Sequence, residues 1–507
     1  MGATAAGCEA QPAANSARTP SAAAGAIDRV MCMSFPSLHV SGCLPARLRA
    51  GPRYPELKPH LVLSFDKQCR SRSWSNVVQL SSHRPHFVNR VNEGWYGVCG
   101  EGGGEVADTT GLARGQASRR IVLDRIRDSP EVSRVEIAQA TGLTRAAVSN
   151  IVRALIDDGL VREVGFAQST GGKRRTMLQI SPEARCAVGV HVSMTGVTYV
   201  VTNMAGGMLG RKRTRGIGYE HPTTVVAEIA NEFDLLLAQV GATRESLVGV
   251  GIVAAGPIDH HAGTVGGPAM PKSWRGFPLR DRLSEALGLR VLVDKDATAA
   301  AVGEFWAGHD YSPLAFACLY MDEGVGSGIV INGVALRGSA SNAGEIGHVC
   351  IDTHGKRCEC GNTGCLELYA APSAVVAEAR RSGFDFAGAE AGSDMRLFDE
   401  IARRAIRQDP AAAALIAPSA AAIAEGAVTL ANVVDLDLIV LAGPGFAVAG
   451  ALYIDAIRAA ISRRFFARRV HDVEVRYSRS PRDAAALGAS ALVLQETLAP
   501  RAAGVHR

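Results

Sequence analysis

Residues 344–367 read Gly-Glu-Ile-Gly-His-Val-Cys-Ile-Asp-Thr-His-Gly-Lys-Arg-Cys-Glu-Cys-Gly-Asn-Thr-Gly-Cys-Leu-Glu. His348, Cys358, Cys360 and Cys365 offer one imidazole and three thiols within this short stretch. Tetrahedral zinc takes such a donor set, soft sulfurs and a borderline nitrogen, with no coordination position left for water. Gly361 and Gly364 let the chain fold tightly around an ion. The alternative is a group of free thiols that happen to lie close together. A single Cys-x-Cys would leave that open; three Cys with a correctly distant His and intervening glycines point to structural zinc. His354 is a rival fourth ligand but stands too close to Cys358 for a clean loop, and Cys350 reads as a buried strand residue.

The same residues resemble the signature of the ROK family (repressors, open reading frames and sugar kinases), in which Gly-Glu-Ile-Gly-His leads into Cys-x-Cys-Gly-x-x-Gly-Cys-x-Glu. The match is residue by residue here and extends more loosely over 184–494. The resemblance implies an α/β, actin-like (ribonuclease H-like) body of two lobes that is either a sugar kinase or the sensor of a sugar-responsive transcription factor. It also implies Glu345, His348 and Glu367 as sugar ligands. Carboxylates accept from pairs of sugar hydroxyls, and a zinc-bound His keeps a second ring nitrogen for hydrogen bonding. The competing reading pairs the two Glu with local backbone amides.

Other motifs decide between kinase and sensor. Residues 187–192 form an apolar strand, which in the family's kinases ends in Asp-x-Gly-Gly-Thr; here the positions read His191, Val192, Ser193, Met194 and Thr195. The acid and both glycines are missing, and Met194 puts bulk where phosphate should approach. Residues 248–253 form a second buried strand, opening into Gly256-Pro257-Ile258-Asp259, which resembles the family's sugar loop and makes Gly256 a pocket residue. Ala269 stands where the kinases commonly have Asn. After a strand over 290–294, Lys295-Asp296-Ala297-Thr298 takes the place of the family's Asn-Asp-Ala-Asn. Asp296 keeps the position that serves kinases as general base. It is either a sugar hydrogen-bond acceptor in a non-catalytic pocket or the ion-pair partner of Lys295. The Gly-rich turn at 323–328 reads as an inherited tight turn, because Asp322 and Glu323 would repel phosphate. Pro444 intrudes on the counterpart of the adenosine-side loop.

Ahead of the body lies a compact basic region. A first helix is expected over 118–127 with Ile121, Val122 and Ile126 inward. Ser133 to Glu136 has the capping-box pattern. Thr144 caps a third helix over 145–158, in which Val148, Ile151, Val152, Leu155 and Ile156 form one apolar stripe. Arg145, Ser149, Asn150 and Arg153 lie on the other face. That is helix-turn-helix spacing, with Arg and Asn able to make bidentate contacts to bases. Two strands follow, joined by a loop with Lys173, Arg174 and Arg175, which reads as a wing reaching phosphates or the minor groove. A solvated three-helix subdomain is the plain alternative. Over 116–180, eleven Lys and Arg face seven Asp and Glu, a net of +4, which suits a weak electrostatic footprint on DNA.

The 507 residues allow two to four domains. The expected organisation is a disordered or spuriously translated extension over 1–115, a winged helix-turn-helix over 116–181, a zinc-bearing sugar-binding body over 184–497 and a flexible tail over 498–507. No uninterrupted apolar run reaches a membrane span; 411–434 contains Pro418 and Glu425 and reads as a buried helix. No basic start leads into an apolar signal segment. Eleven Cys, clustered as a metal set rather than paired, suit a reducing compartment, so a cytoplasmic location is expected. The whole reads as a transcriptional regulator, usually a repressor, bound to double-stranded operator DNA as a homodimer or homotetramer and controlled by a sugar or sugar phosphate. A sugar kinase with a DNA-binding appendage is the alternative, and a scaffold that senses a phosphotransfer protein is a third reading.

Overall fold

The computed structural model describes residues 109–167, 174–218, 220–267, 270–307, 314–386 and 392–498. The expected extension up to residue 108, Lys173, Ala269 and the tail beyond 498 lie outside these residues.

The head comprises α1 (Thr109–Arg127), β1 (Val132–Ser133), α2 (Arg134–Thr141), α3 (Arg145–Asp157), β2 (Val161–Phe166) and β3 (Thr176–Ile180). Its sheet has the order β1-β3-β2, antiparallel throughout. α1 starts ahead of the expected 118, inside the stretch assigned to the extension. Val122, Leu123 and Ile126 are buried, whereas Ile121, expected inward, is 48 % exposed. One residue is about 100° of helix, so the stripe that admits Val122 and Ile126 turns Ile121 outward. The Ser133 capping box forms: its amide and hydroxyl donate to Glu136 Oε2 at 2.8 Å each. Gly142, in left-handed backbone at φ 70°, ends α2. Val148, Val152 and Leu155 are fully buried and fix α3 to the head's core, each contributing about 1.5–3 kcal/mol.

The body has two lobes on one plan. The first runs β4 (Cys186–Val192), β5 (Gly196–Asn203), β6 (Met208–Arg215), α4 (Pro222–Val240), β7 (Leu247–Ala254), β8 (Ile258–Asp259), β9 (Thr264–Val265), α5 (Leu279–Leu287), β10 (Val291–Lys295) and α6 (Asp296–Ala307). The second runs β11 (Ala315–Met321), β12 (Val325–Ile331), β13 (Val334–Ala335), α7 (Glu367–Ala370), α8 (Pro372–Arg381), α9 (Asp394–Ile406), α10 (Pro410–Val434), β14 (Leu438–Ala442), α11 (Pro444–Arg464), β15 (Glu474–Tyr477) and α12 (Ala484–Leu498). The sheet orders are β10-β7-β4-β5-β6 and β13-β12-β11-β14-β15. In each, two antiparallel pairings on one side of the central strand meet two parallel pairings on the other. The turns at 193–195 and 322–324 therefore occupy equivalent places.

Each lobe's last helix crosses to the other. α6 packs on β11 and β12, α12 packs on β4, β5 and β7, and the two helices pack on each other. Small residues permit this. A Cβ on Gly488 would lie 1.7 Å from the Ala299 carbonyl oxygen, and one on Gly189 would lie 1.8 Å from that of Ala486. Gly488→Ala must push the helices apart and is expected to cost about 1–3 kcal/mol or more. Gly115→Ala in α1, where a Cβ meets nothing within 4 Å, should be neutral or slightly stabilising. Chemical denaturation of the two variants checks the contrast.

α10 and α11 are long and apolar enough to cross a membrane. They pack on one another in the second lobe, where α10 buries Leu415, Ile416 and Ile423 around its internal Pro418. Pro444 does not intrude on the preceding loop. It is the first residue of α11, where its missing N–H has no helical partner to lose.

Candidate functional site

The metal-type cluster hangs between β13 and α7. His348 closes a short 3-10 turn, Ile346–His348, and the backbone then forms single bridges, Cys350 to Cys365 and Arg357 to Thr363. The ligand atoms of His348, Cys358, Cys360 and Cys365 all lie within 4.8 Å of one another. Cys358 Sγ is 3.7 Å from His348 Nδ1, and Cys360 Sγ is 3.7 Å from Cys365 Sγ. A tetrahedron with metal–sulfur bonds of about 2.3 Å has edges of about 3.8 Å, so the spacing fits a zinc-sized ion. Gly361 (φ 97°) and Gly364 (φ 69°) supply the left-handed backbone that brings the thiols together. His354 stands apart, its ring nitrogen 3.2 Å from the Thr353 hydroxyl. Cys350 is exposed, not buried in a strand, because its ladder is one residue long.

The cleft is built where the strands of both lobes end. Lys295 closes β10 and Asp296 opens α6. The Lys295 side chain is fully buried; its Nζ forms an ion pair with Glu345 Oε1 at 2.7 Å and donates to the Ala343 carbonyl at 2.8 Å. Lys295 thus pairs with Glu345 of the second lobe rather than with Asp296. A Cβ on Gly256 would meet Glu345 Oε1 at 3.0 Å and Lys295 Cδ at 3.4 Å, so the three residues converge. Glu367 Oε1 lies 3.2 Å from His348 Nδ1 and 3.5 Å from Cys358 Sγ. A Cβ on Gly324 would lie 3.2 Å from Glu367 Oε2, which places the turn after β11 beside the metal-type cluster. The Asn342 side chain accepts from the Ile258 amide at 2.9 Å and donates to its carbonyl at 3.0 Å, and Arg337 donates to Asp294 at 2.6 Å, clasping the lobes.

Deeper in the cleft is a cluster that the sequence reading did not assemble. His191, at the end of β4, is buried with Nε2 3.6 Å from Asp322 Oδ2 and 4.0 Å from Asp296 Oδ2. Burial pulls its imidazole below the usual range, which favours the neutral form. Burial pushes Asp296 up to about 6 and Asp322 and Glu323 each up to about 7. Asp322 and Glu323 were read as part of a tight turn only. They are in fact acids held close to Asp296 and His191, and the duplicated strand plan is the signal that could have paired the two turns.

The head presents its own surface. The Thr144 hydroxyl caps α3 by accepting from the Ala147 amide at 3.2 Å. Arg145, Asn150 and Arg153 are exposed and Ser149 half-buried on α3. Asn150 lies opposite Val148 and Val152, whereas Arg145 is exposed in the first turn, in line with them. Arg145 and Arg153 enter no ion pair among the described residues. Arg174 and Arg175 are exposed at the foot of the hairpin. The head's buried residues run into one hydrophobic cluster with those of the body, and a cation-π contact adds to it. The Arg127 guanidinium lies 3.7 Å from the ring centroid of Trp306, while bonding Asp124 at 3.1 Å and Asp128 at 2.8 Å. Trp306 lies near the end of α6, the helix that begins with Asp296.

Paired five-stranded sheets that exchange their last helices define an actin-like two-lobed protein, here with a winged helix ahead of it. Residues 187–496 match the ROK family and residues 116–175 the MarR family; the chain belongs to the ROK family and carries a MarR-like winged helix. It is similar to the xylose repressor of Caldicellulosiruptor bescii, 27 % identical over 393 residues that span 76 % of this chain and 96 % of that one. A solved ROK family transcriptional regulator, a homologue of the E. coli MLC protein, shares the fold over 77 % of this chain and 98 % of its own, with a TM-score of 0.63 and 24 % identity. A ROK glucokinase from Streptomyces griseus, solved with glucose and AMPPNP, covers 61 % of this chain and 98 % of its own, with a TM-score of 0.50 and 27 % identity. The likeness to the Caldicellulosiruptor bescii xylose repressor thus spans 76 % of this chain, against 61 % for the glucokinase.

Proposed function

We propose that the chain is a DNA-binding transcriptional repressor whose hold on operator DNA is set by a sugar bound between the lobes. The observation that carries this reading is the likeness to a xylose repressor over 96 % of that protein's length, so that one alignment covers both a reading head and a cleft. The DNA contacts are Thr144, Arg145, Ser149, Asn150 and Arg153 on α3, with Lys173, Arg174 and Arg175 in the wing. The sugar contacts are Gly256, Asp296, Glu345, His348 and Glu367. Zinc on His348, Cys358, Cys360 and Cys365 is structural: it fixes the imidazole and, through the short link from Cys365, the carboxylate of Glu367. The chain acts as a homodimer or homotetramer in the cytoplasm, since paired heads read paired half-sites.

Phosphoryl transfer is the weaker reading. A buried His191 stands where the family's kinases have an acid, and Met194 stands where they have glycine. Asp322 and Asp296 lie 3.6 and 4.0 Å from His191 Nε2, where a kinase would need room and positive charge for a triphosphate.

Coupling follows α6. Its first residue lies in the cleft and its last turn carries Trp306 against Arg127 of the head. A helix is stiff over this length, so a ligand that shifts Asp296 shifts the platform on which α1 rests. This works only if the sugar binds the two arrangements unequally. The test is a gel shift of the full chain on its own upstream region with a panel of pentoses and hexoses. One sugar is expected to change the affinity about 5–150-fold. Trp306→Ala should leave both operator and sugar binding measurable but shrink that factor towards one. ATP consumption with a hexose would overturn the repressor reading in favour of a kinase.

A further inference from the structure

The inner wall of the cleft carries groups that the sugar contacts above do not use. His191 is 3 % exposed and its Nε2 has no hydrogen-bond partner; Asp322, 6 % exposed, has none for Oδ1; Tyr320, 2 % exposed, has none for its hydroxyl. The His191 and Tyr320 rings meet edge to face, 6.1 Å between centroids. Buried polar atoms without partners are costly, so groups of this kind in a ligand cleft mark where a ligand supplies the missing bonds. The distances from Nε2 to Asp322 and Asp296, 3.6 and 4.0 Å, are too long for direct hydrogen bonds. An oxygen about 2.8 Å from both Nε2 and a carboxylate oxygen can bridge either gap. A sugar hydroxyl suits this place, since it donates to one group and accepts from another.

The charge around the same place narrows the ligand. Asp296, Asp322 and Glu323 are three acids. The nearby cations are already engaged: Lys295 by Glu345, Arg213 by Asp483 at 2.5 Å and Arg482 by Asp399 at 2.8 Å. Among the described residues none of these three faces the wall with its charge unmatched. A phosphate monoester carries about −1.5 to −2 charge at neutral pH and needs cations or free amides, as at Arg-lined or helix-end phosphate sites. Here it would meet the crowded carboxyls of Asp296 and Asp322 beside the His191 ring, an arrangement with no cation to spare among the described residues.

We propose that the inner wall formed by His191, Asp296 and Asp322 selects a neutral, unphosphorylated sugar by bonding its innermost hydroxyl, and rejects the same sugar carrying a phosphate ester there. This rests on the reading that the cleft is the sugar site, and it chooses between the two effector classes that reading leaves open. The position that a kinase would use to phosphorylate a hydroxyl becomes a check that the hydroxyl is still free.

Isothermal titration of the full zinc-loaded chain at neutral pH, with D-xylose, D-glucose, N-acetyl-D-glucosamine, glucose 6-phosphate and N-acetylglucosamine 6-phosphate, tests it. At least one free sugar is expected to bind, and a hexose that binds should do so about tenfold or more tighter than its own ester. Asp322→Asn removes one acid and should narrow that ratio. His191→Gln, which keeps a polar group of similar reach, should weaken the free sugar and leave the ester as poor as before. An ester that binds as tightly as its parent sugar, or tighter, overturns the proposal and leaves the cleft as a sugar site. Absence of heat with all five compounds, together with an unchanged operator complex, overturns the cleft reading and this proposal with it.

Discussion

Cys360→Ser is expected to leave the chain without its zinc, close to one equivalent lost per protomer by metal analysis, and to lower its thermal stability markedly. The choice of residue matters. Cys358 and Cys365 are buried, so replacing either changes packing as well as coordination. Cys360 is exposed, and a serine of nearly the same shape there opens no cavity. Without a metal the substitution should cost almost nothing; any large loss therefore measures the ion. Structural zinc contributes about 10–16 kcal/mol to isolated zinc-finger peptides. The second lobe has a large core of its own, built on α9, α10 and α11, so a smaller part of that energy is coupled to folding here. A loss of several kcal/mol, matched by chelator treatment of the unsubstituted chain, is the expected result. Sugar response should fall with it, because His348 and Glu367 lose the anchor that holds them, while the distant head keeps its grip on DNA. A zinc-free variant that melts with the parent and still responds to sugar would remove the metal from the account.

The parts of this protein that were legible in its sequence are those fixed by near neighbours. The four metal-type donors lie within one short stretch, and the spacing of thiols and glycines already implies how they meet. The Ser133–Glu136 box and the Thr144 cap are three-residue events, and both form as read. The stripe on α3 follows from helix period alone. What stayed hidden is contact between residues far apart in the chain. Lys295 could be seen to replace an Asn, and a pair with the adjacent Asp296 was one of two readings left open; the ammonium instead reaches Glu345 of the second lobe, beside the Ala343 carbonyl. His191 could be seen to replace an acid, but nothing local says that it faces Asp322 from another lobe. The same holds for Gly189 and Gly488, whose meaning is a helix pressed against a strand and a helix pressed against a helix. In the composition they are merely two more glycines.

Replacing Arg145 and Asn150 together by Ala is expected to abolish specific operator binding at concentrations where the unsubstituted chain is saturated. Each bidentate contact to a base edge is worth about 1–3 kcal/mol of discrimination, so the pair should raise the dissociation constant about 30-fold or more. The two residues are separable by salt. Arg145 carries charge, so if it also touches phosphate, its removal should flatten the dependence of affinity on salt by about one unit of slope. Asn150 is neutral; its loss should relax base preference at one position of each half-site and leave the slope alone. Folding offers no escape from the test. Both side chains are exposed on α3, and Ala is the better helix former at either place. The double variant should therefore melt with the parent, load zinc normally and bind sugar unchanged. Specific affinity that survives both substitutions would mean that α3 does not enter the major groove, and that the wing or another face of the head carries the reading.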